Sequence, residues 1–533
     1  MALNLVPLHF VKNLSSLFIE INIINVRIKE ESITNAMASN SVLDVWGWLV
    51  SLPPASQWNL DTQCFCIYRS EPSQPSLNLR VIRNIHGHNP HVIFSLTAYF
   101  NSHITLWSSN SLHIKEIIDK SFDSKTMQLL LCGIIAGVLK YESYKKSSIS
   151  VPGMLIEKDC KDIFNLALLT LALLVCIYEA PQDLRFRSIE ELSLRLYRRN
   201  SQESMKQLVR ILGSNLEEQW MRSVNLAITN WIMESRSSNL SLSLPSPFFA
   251  YSFSTVGLWK VQLYCPITAM ISNNQGNSTH DSRLNFSLNY QQLEGVIQFT
   301  YKVIFREYWI DVVVKVDNIR CDVNQLVSEK LMSKEGYGSE EKHFPSRILL
   351  QLAPTVQTDV ISVSVSKSSD NPIHEVGVEK GVEGSFEPPG SYLGLKVSAS
   401  ETVTLAIKQW KFEQSVHGDS AVLNWFLHDG VNGREVFSTK PPKMAIFRPR
   451  SWFRNRYSSA YRPSTRQGGV IFAGDEYGES VWWKICRGGK GKRMDWEICG
   501  KVWLTYWPNK HRTFYSETRM LEFKELLHIN LET

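Results

Sequence analysis

Apolar residues along this chain recur first at the helical interval and later at an interval of two. Met205, Leu208, Val209 and Leu212 lie on one helix face, Gly213-Ser214-Asn215 interrupts them, and Leu216, Trp220, Val224, Ala227, Ile228 and Trp231 resume the stripe. Such spacing predicts helices within 109–235, with these side chains as core. The stretch "SIEEL" predicts a helix start, with Ser188 as N-cap and Glu191 three residues on in a capping box. The run "IFNLALLTLALLVCIY", 163–178, is sixteen residues long, short of the ~20 that cross a bilayer core. It reads as a buried central helix, with "MQLLLCGIIAGVL" (127–139) as its packing partner. Between Met37 and residue 108 the pattern is mixed. "VLDVWGWLV" looks helical and ends before Pro53-Pro54, while "LNLRVI" and "HVIFSLTAYF" look like strands.

"SRSSNLSLSLPSP" (235–247) separates the two regimes, Ser-rich and closed by two prolines. Beyond it, "VIQFTYKVIFREYWIDVVVKV" is β-branched and aromatic, broken at Arg306-Glu307, and "DVISVSVS", "TVTLAIKQW" and "KVWLTYW" alternate plainly. Strands with no interleaved helices predict antiparallel pairing. Polar stretches near 327–345 and 367–391 read as mobile loops. The expected fold is therefore α+β, a helix-rich N-terminal half followed by an antiparallel β-sandwich-like C-terminal half. Residues 1–36 are an extension outside the core, 37–235 a mostly helical domain with a few strands, 236–247 a linker, and 248–533 the β part with a basic C-terminal segment.

Charge sharpens this division. Residues 441–533 hold 17 Lys and Arg against 9 Asp and Glu, whereas the remainder holds 40 against 42. The excess positive charge thus sits at the C-terminal end, which suggests an anionic partner there. With 44% hydrophobic residues the chain builds proper cores and is not globally disordered. Nine cysteines are scattered; Cys64 and Cys66 stand one residue apart, Cys486 and Cys499 further, and no paired CxxC spacing marks a structural zinc. That usage fits a reducing compartment, cytoplasmic or nuclear. Sequons at Asn13, Asn239, Asn277 and Asn285 read as Ser-rich loop composition, since "MALNLVPLHFVKNLSSLFI" lacks a clean signal-peptide pattern.

Catalytic signatures are absent: no GxSxG, HExxH, GxGxxG or GxxxxGK[ST] occurs, and no cofactor is implied. "RGGKGKR" (487–493) fails the phosphate-loop spacing at Cys486 and Arg493 and reads as a basic Gly-rich hairpin between "VWWKI" and "DWEI". "HGHNPH" brings His86, His88 and His91 together, yet no cysteine or carboxylate adjoins them, so a solvated turn is expected. Asp475 and Glu476, in "AGDEYGE", fit a tight polar turn. Six arginines, Arg448, Arg450, Arg454, Arg456, Arg462 and Arg466, fall within nineteen residues among Trp452, Phe453, Tyr457 and Tyr461. Guanidinium groups take phosphate or carboxylate in bidentate fashion and aromatic rings add stacking faces. This suits a phosphoinositide, a single-stranded nucleic acid or an acidic protein surface.

"WFRNRYSSAYRPSTRQGGVIFAGDEYGE", followed by "WLTYWPNKHRTFYSETRMLEFKELLHINL", resembles a family of plant proteins with no assigned activity. The likeness includes "MASNSVLDVWGWLVSLPP" and so covers about Met37 to the end, with residues 1–36 departing from it. It implies a soluble intracellular plant protein and carries over no catalytic residue. From the residues themselves we expect a non-enzymatic binding or scaffolding protein without a transmembrane span. Arg454, Arg456, Arg462 and Arg466, with Lys510 and Arg512, are its candidate anion contacts, and Tyr457 and Tyr461 its stacking partners. Two other readings stay open: an enzyme in which Asp475, Glu476 and His511 converge, and a membrane-associated protein inserting 127–178 as a helical hairpin.

Overall fold

The computed structural model describes residues 44–69, 75–84, 91–99, 103–113, 122–141, 160–196, 199–237, 249–272, 279–366, 373–383, 398–408, 410–427, 470–473, 479–507, 511, 513 and 515–531. Its first element is a short helix, α1 (Val45–Ser51). Asp44 caps it, accepting from the Gly47 N–H at 2.8 Å, and pairs with Lys161 at 2.6 Å.

An antiparallel sheet follows: β1 (Thr62–Arg69), β2 (Ser76–Asn84), β3 (His91–Tyr99) and β4 (His103–Ser108) in chain order, with the two-residue β5 (Leu112–His113) also on β3. Alternation along β2 and β3 turns Leu77, Leu79, Val81, Phe94, Leu96 and Ala98 inward, all of them buried. The expectation of a helix-rich N-terminal half is thus corrected. After the short α1, the sheet precedes the long helices, which are laid against it.

Those helices are α2 (Ser124–Leu139), α3 (Cys160–Glu179), α4 (Gln182–Leu196) and α5 (Arg199–Ser237). α3 is apolar all round, as a helix enclosed by protein must be. Nearly all its residues from Ile163 to Ile177 are buried, and Trp46 of α1 meets Phe164 edge-on at 5.4 Å. This is the one helix among the described residues long and apolar enough to cross a membrane, and it lies inside the protein. α2 reaches it closely at Gly137, where a Cβ would come within 3.1 Å of Leu171 and 3.0 Å of the Trp107 indole. The expected capping box is not formed: Ser188 lies mid-helix in α4 and donates to the Leu184 carbonyl at 2.7 Å. α5 is kinked at Gly213 (φ 71°, ψ 168°), where the sequence is interrupted.

The remaining chain forms β6 (Ala250–Thr255), β7 (Leu258–Pro266), β8 (Ile271–Ser272), α6 (Ser282–Asn289), β9 (Gln291–Phe305), β10 (Trp309–Gln325), α7 (Glu329–Glu335), β11 (Phe344–Pro354) and β12 (Val360–Val365). Then come β13 (Ile373–Glu383), β14 (Ser398–Lys408), β15 (Trp410–His417), β16 (Ser420–Leu427), β17 (Val470–Ala473), β18 (Ser480–Cys486), β19 (Arg493–Tyr506) and β20 (Glu517–Asn530). They build two large antiparallel sheets, β12-β18-β10-β9-β7-β6 with β17 on β10, and β15-β16-β11-β19-β20-β8. Tryptophans join them: Trp496 of β19 lies 5.9 Å from Trp259 of β7 and 6.0 Å from Trp483 of β18. The Trp259 and Trp483 indole N–H groups donate to the carbonyls of His528 and Asp419, both at 3.0 Å. These large aromatic bodies pack the core that the two sheets share, although the Trp496 indole N–H has no partner among the described residues.

Two loop expectations are revised here. "RGGKGKR" is no hairpin turn, because β18 and β19 belong to different sheets and 487–493 carries the chain from one to the other. Residues 327–345 are ordered: they contain α7, and Glu341 and His343 within them are buried.

α5 lies on β6, β7 and the start of β9 through a polar seam. Glu217 accepts from Tyr251 and Gln262, Asn225 donates to Gln292 at 2.9 Å, and Arg222 meets Glu294 at 3.1 Å. Burial pushes the Glu217 carboxyl up despite these partners.

Candidate functional site

Within the stretch expected as a mobile loop (367–391) lies β13, which with β14 forms a sheet of two strands standing apart from both large ones. Its ladder runs without a bulge from Ile373 opposite Lys408 to Glu383 opposite Ser398. The register sorts the positions into two sets. Glu375, Gly377, Glu379, Gly381 and Glu383 stand opposite Ala406, Thr404, Thr402, Ser400 and Ser398. Between them, Val376, Val378, Lys380 and Val382 stand opposite Leu405, Val403, Glu401 and Ala399. Directly paired residues share a face and neighbours along the strand do not. One register set is therefore polar or small apart from Ile373; the other is apolar apart from His374 and one opposed Lys–Glu pair.

Both roots of this hairpin are fixed. On the β12 side the Ser366 N–H donates to the Ser480 carbonyl at 3.1 Å, and the Gln414 amide donates to the Ser366 hydroxyl at 2.9 Å. On the β15 side Trp410 is buried and pairs with Leu427. β12 and β15 are the outer strands of their respective sheets, so the hairpin leaves from the two edges.

The same end of the β15–β8 sheet carries a buried ionic network. His343 lies 3.0 Å through Nδ1 from Gln291 Oε1 and 3.1 Å through Nε2 from Glu517 Oε1. Arg519 Nε donates to the other Glu517 oxygen at 2.9 Å and its Nη1 to the Ile267 carbonyl at 3.2 Å. Burial alone would push the Glu517 carboxyl up; the Arg519 charge and the His343 hydrogen bond outweigh it and hold the group at about 2. Burial pushes the His343 imidazole below its ordinary range, with Glu517 pulling partly back. Toward the surface, Glu341 accepts from Tyr506 Oη at 2.8 Å and from the His511 N–H at 2.7 Å. His511 stacks on Tyr337 at 4.1 Å and reaches Asp281 at 3.2 Å, while Tyr337 donates to the same carboxylate at 2.7 Å. The turn between β19 and β20, from which Lys510 and Arg512 flank His511, is thus tied to the cap of α6.

Arg454, Arg456, Arg462, Arg466, Tyr457, Tyr461, Lys510 and Arg512 lie outside the described residues, as do His86, His88, Asp475 and Glu476. Their flanks are described. The chain leaves β16 at Leu427, beside the hairpin root at Trp410, and returns at β17, where Val470 pairs with Cys321. Among the described residues no group of three or more His, Cys, Asp or Glu side chains is placed to hold a metal ion. The His343–Glu517–Arg519 cluster escaped sequence reading because 174 residues separate His343 from Glu517. The hairpin left a trace, the alternation of "TVTLAIK" and "HEVGVEKGVE", but Gly, Ser and Glu diluted it.

No family model matches the chain, and no curated protein matches it. Among solved structures it is similar to Clostridium perfringens delta-toxin, with 10% identity over 52% of this chain and 99% of that one and a TM-score of 0.22. Clostridium perfringens NetB toxin in its membrane-inserted form gives 10% identity over 53% and 98%, with a TM-score of 0.17. A structure titled "Pore forming protein" gives 9% over 52% and 99%, with a TM-score of 0.20. Scores of this size fall short of a shared fold.

Proposed function

We propose that the protein is a non-enzymatic lipid-binding protein, a C-terminal β-sandwich whose hairpin β13–β14 enters the hydrocarbon of an anionic membrane. The register of that hairpin carries the reading. Its eleven paired positions match the ~9–11 residues per strand that cross a bilayer, with the required alternation of apolar and polar positions. Lys380 and Glu401, opposed to each other three pairs from the distal end, fall near an interface, where charged heads reach water. A lone hairpin in lipid leaves two edges of unpaired N–H and C=O groups, each costing several kcal/mol. Insertion therefore requires hairpins from several copies to close into a barrel, apolar positions toward lipid and polar ones toward the lumen.

The anionic ligand expected from the arginine–aromatic segment 448–466 is, in this reading, the phosphate of the lipid headgroup. Arg454 and Arg456, with Lys510 and Arg512, are the proposed contacts, and the exit of the chain from β16 at Leu427, beside the hairpin root at Trp410, supports their acting on one membrane. The test uses full-length protein with dye-loaded vesicles of phosphatidylcholine, with and without phosphatidylserine, at two salt concentrations. We expect salt-sensitive co-sedimentation with anionic vesicles and dye release. Replacing Arg454 and Arg456 by alanine should flatten the salt dependence of binding; the Val378→Asp, Leu405→Asp pair should stop release and leave binding intact. Release undiminished in the aspartate variant, or no association with anionic vesicles, overturns the assignment.

A further inference from the structure

Cys64 and Cys66 are free and exposed, whereas the other described cysteines are half-buried or buried. Thiols rank among the most buried side chains, so two in solvent one residue apart call for an explanation. β1 is the outer strand of its sheet, and strand alternation puts both thiols on one face. Phe65, between them, turns to the opposite side and packs on Trp48 at 5.1 Å. Their Cα atoms are about 6.5 Å apart at ~3.3 Å rise per residue. A linear thiolate–metal–thiolate unit with ~2.3 Å bonds needs its sulfurs about 4.6 Å apart, within reach of two side chains leaning together.

The facing strand completes the arrangement. Arg80 stands directly opposite Cys64 and Asn78 opposite Cys66. The Arg80 Nε is buried and has no hydrogen-bond partner among the described residues. A buried donor left open costs about 1–3 kcal/mol, and an anionic sulfur beside it would accept.

We propose that Cys64 and Cys66 form a two-coordinate site for a soft monovalent cation, Cu(I). On binding, each thiol gives its proton to solvent and each sulfur forms one bond to copper, with no change of oxidation state. The resulting unit carries one negative charge, which the Arg80 guanidinium offsets. Zinc is the poorer fit, since it takes four ligands and no third or fourth His, Cys, Asp or Glu is grouped here among the described residues. Two thiolates without further ligands select a soft d10 ion that accepts low coordination.

The test titrates full-length protein, reduced and anaerobic, against the cuprous bathocuproine disulfonate complex and follows the loss of its colour. One equivalent of Cu(I) should transfer per chain, with an X-ray absorption edge of two-coordinate sulfur ligation. Cys64→Ser and Cys66→Ser should each weaken uptake at least about a hundredfold, because one thiolate cannot close the site, while Cys132→Ser changes nothing. Exposed positions keep the fold intact, which circular dichroism checks. Stoichiometric uptake by the Cys64→Ser, Cys66→Ser double variant, or Zn(II) binding at the same stoichiometry and dependence on both thiols, overturns the proposal.

Discussion

Glu517 shows what one buried charge does for this protein. It stands between His343 and Arg519 with its carboxyl held at about 2. A group depressed in the folded state adds stability that is present above its unfolded value of ~4.3 and is lost as pH falls toward the folded value. Glu517→Gln should therefore cost about 3 kcal/mol at neutral pH, as expected for a buried pair broken from one side. The gap in melting temperature between wild type and variant should narrow as pH drops from 5 to 2. A gap constant with pH would show that Glu517 contributes packing rather than charge. At this scale the sequence offered little. Nothing local to "EKHF" announces that His343 is fully buried against a carboxylate from the last strand. The exposed Cys64 and Cys66 were visible only as a spacing.

Elements were more legible where a single period ran long. α3 and its partner α2 follow from apolar content alone, and the break at Gly213 follows from one glycine inside a helical stripe. With φ 71° and ψ 168° that residue sits where only glycine is comfortable. Gly213→Ala should cost about 1–3 kcal/mol although nothing lies within 4 Å of its Cβ position. An unchanged melting temperature would mean that α5 absorbs the strain by straightening. Ser188 misled because serine with a glutamate three residues on fits a helix start and a helix interior alike; there its hydroxyl bonds back to Leu184. The turn at 487–489 misled for a related reason: glycines mark where a chain turns, not which sheet it turns into.

Over the whole molecule, the α+β class was readable from the change of period near residue 240; of the early sheet, β2 and β3 were readable as "LNLRVI" and "HVIFSLTAYF", whereas β1 and β4 mix apolar with polar residues and were not. The proposed barrel makes a claim that belongs to an assembly rather than a chain. Glu375, Glu379 and Glu383 repeat along the polar register set, so each copy would add an acidic row to the lumen. Channels in planar bilayers should then prefer cations, and Glu379→Lys should move the reversal potential toward anion preference. An unmoved reversal potential would take that row out of the conducting path.

The bonds between β6–β7 and β20 have a consequence for how the chain is made. Ser252 donates to Glu525 across 273 residues, Trp259 to the His528 carbonyl across 269, and the core tryptophan Trp496 lies nearly as far along. During synthesis the early strands emerge long before the partners that cover them, since ribosomes add only about 5–20 residues per second. For tens of seconds at those rates, Trp259 and its neighbours are without the layer that buries them, and closure waits for the final strand. A chaperone that shields aromatic strand faces would have its longest task on this nascent chain between the translation of β7 and that of β20.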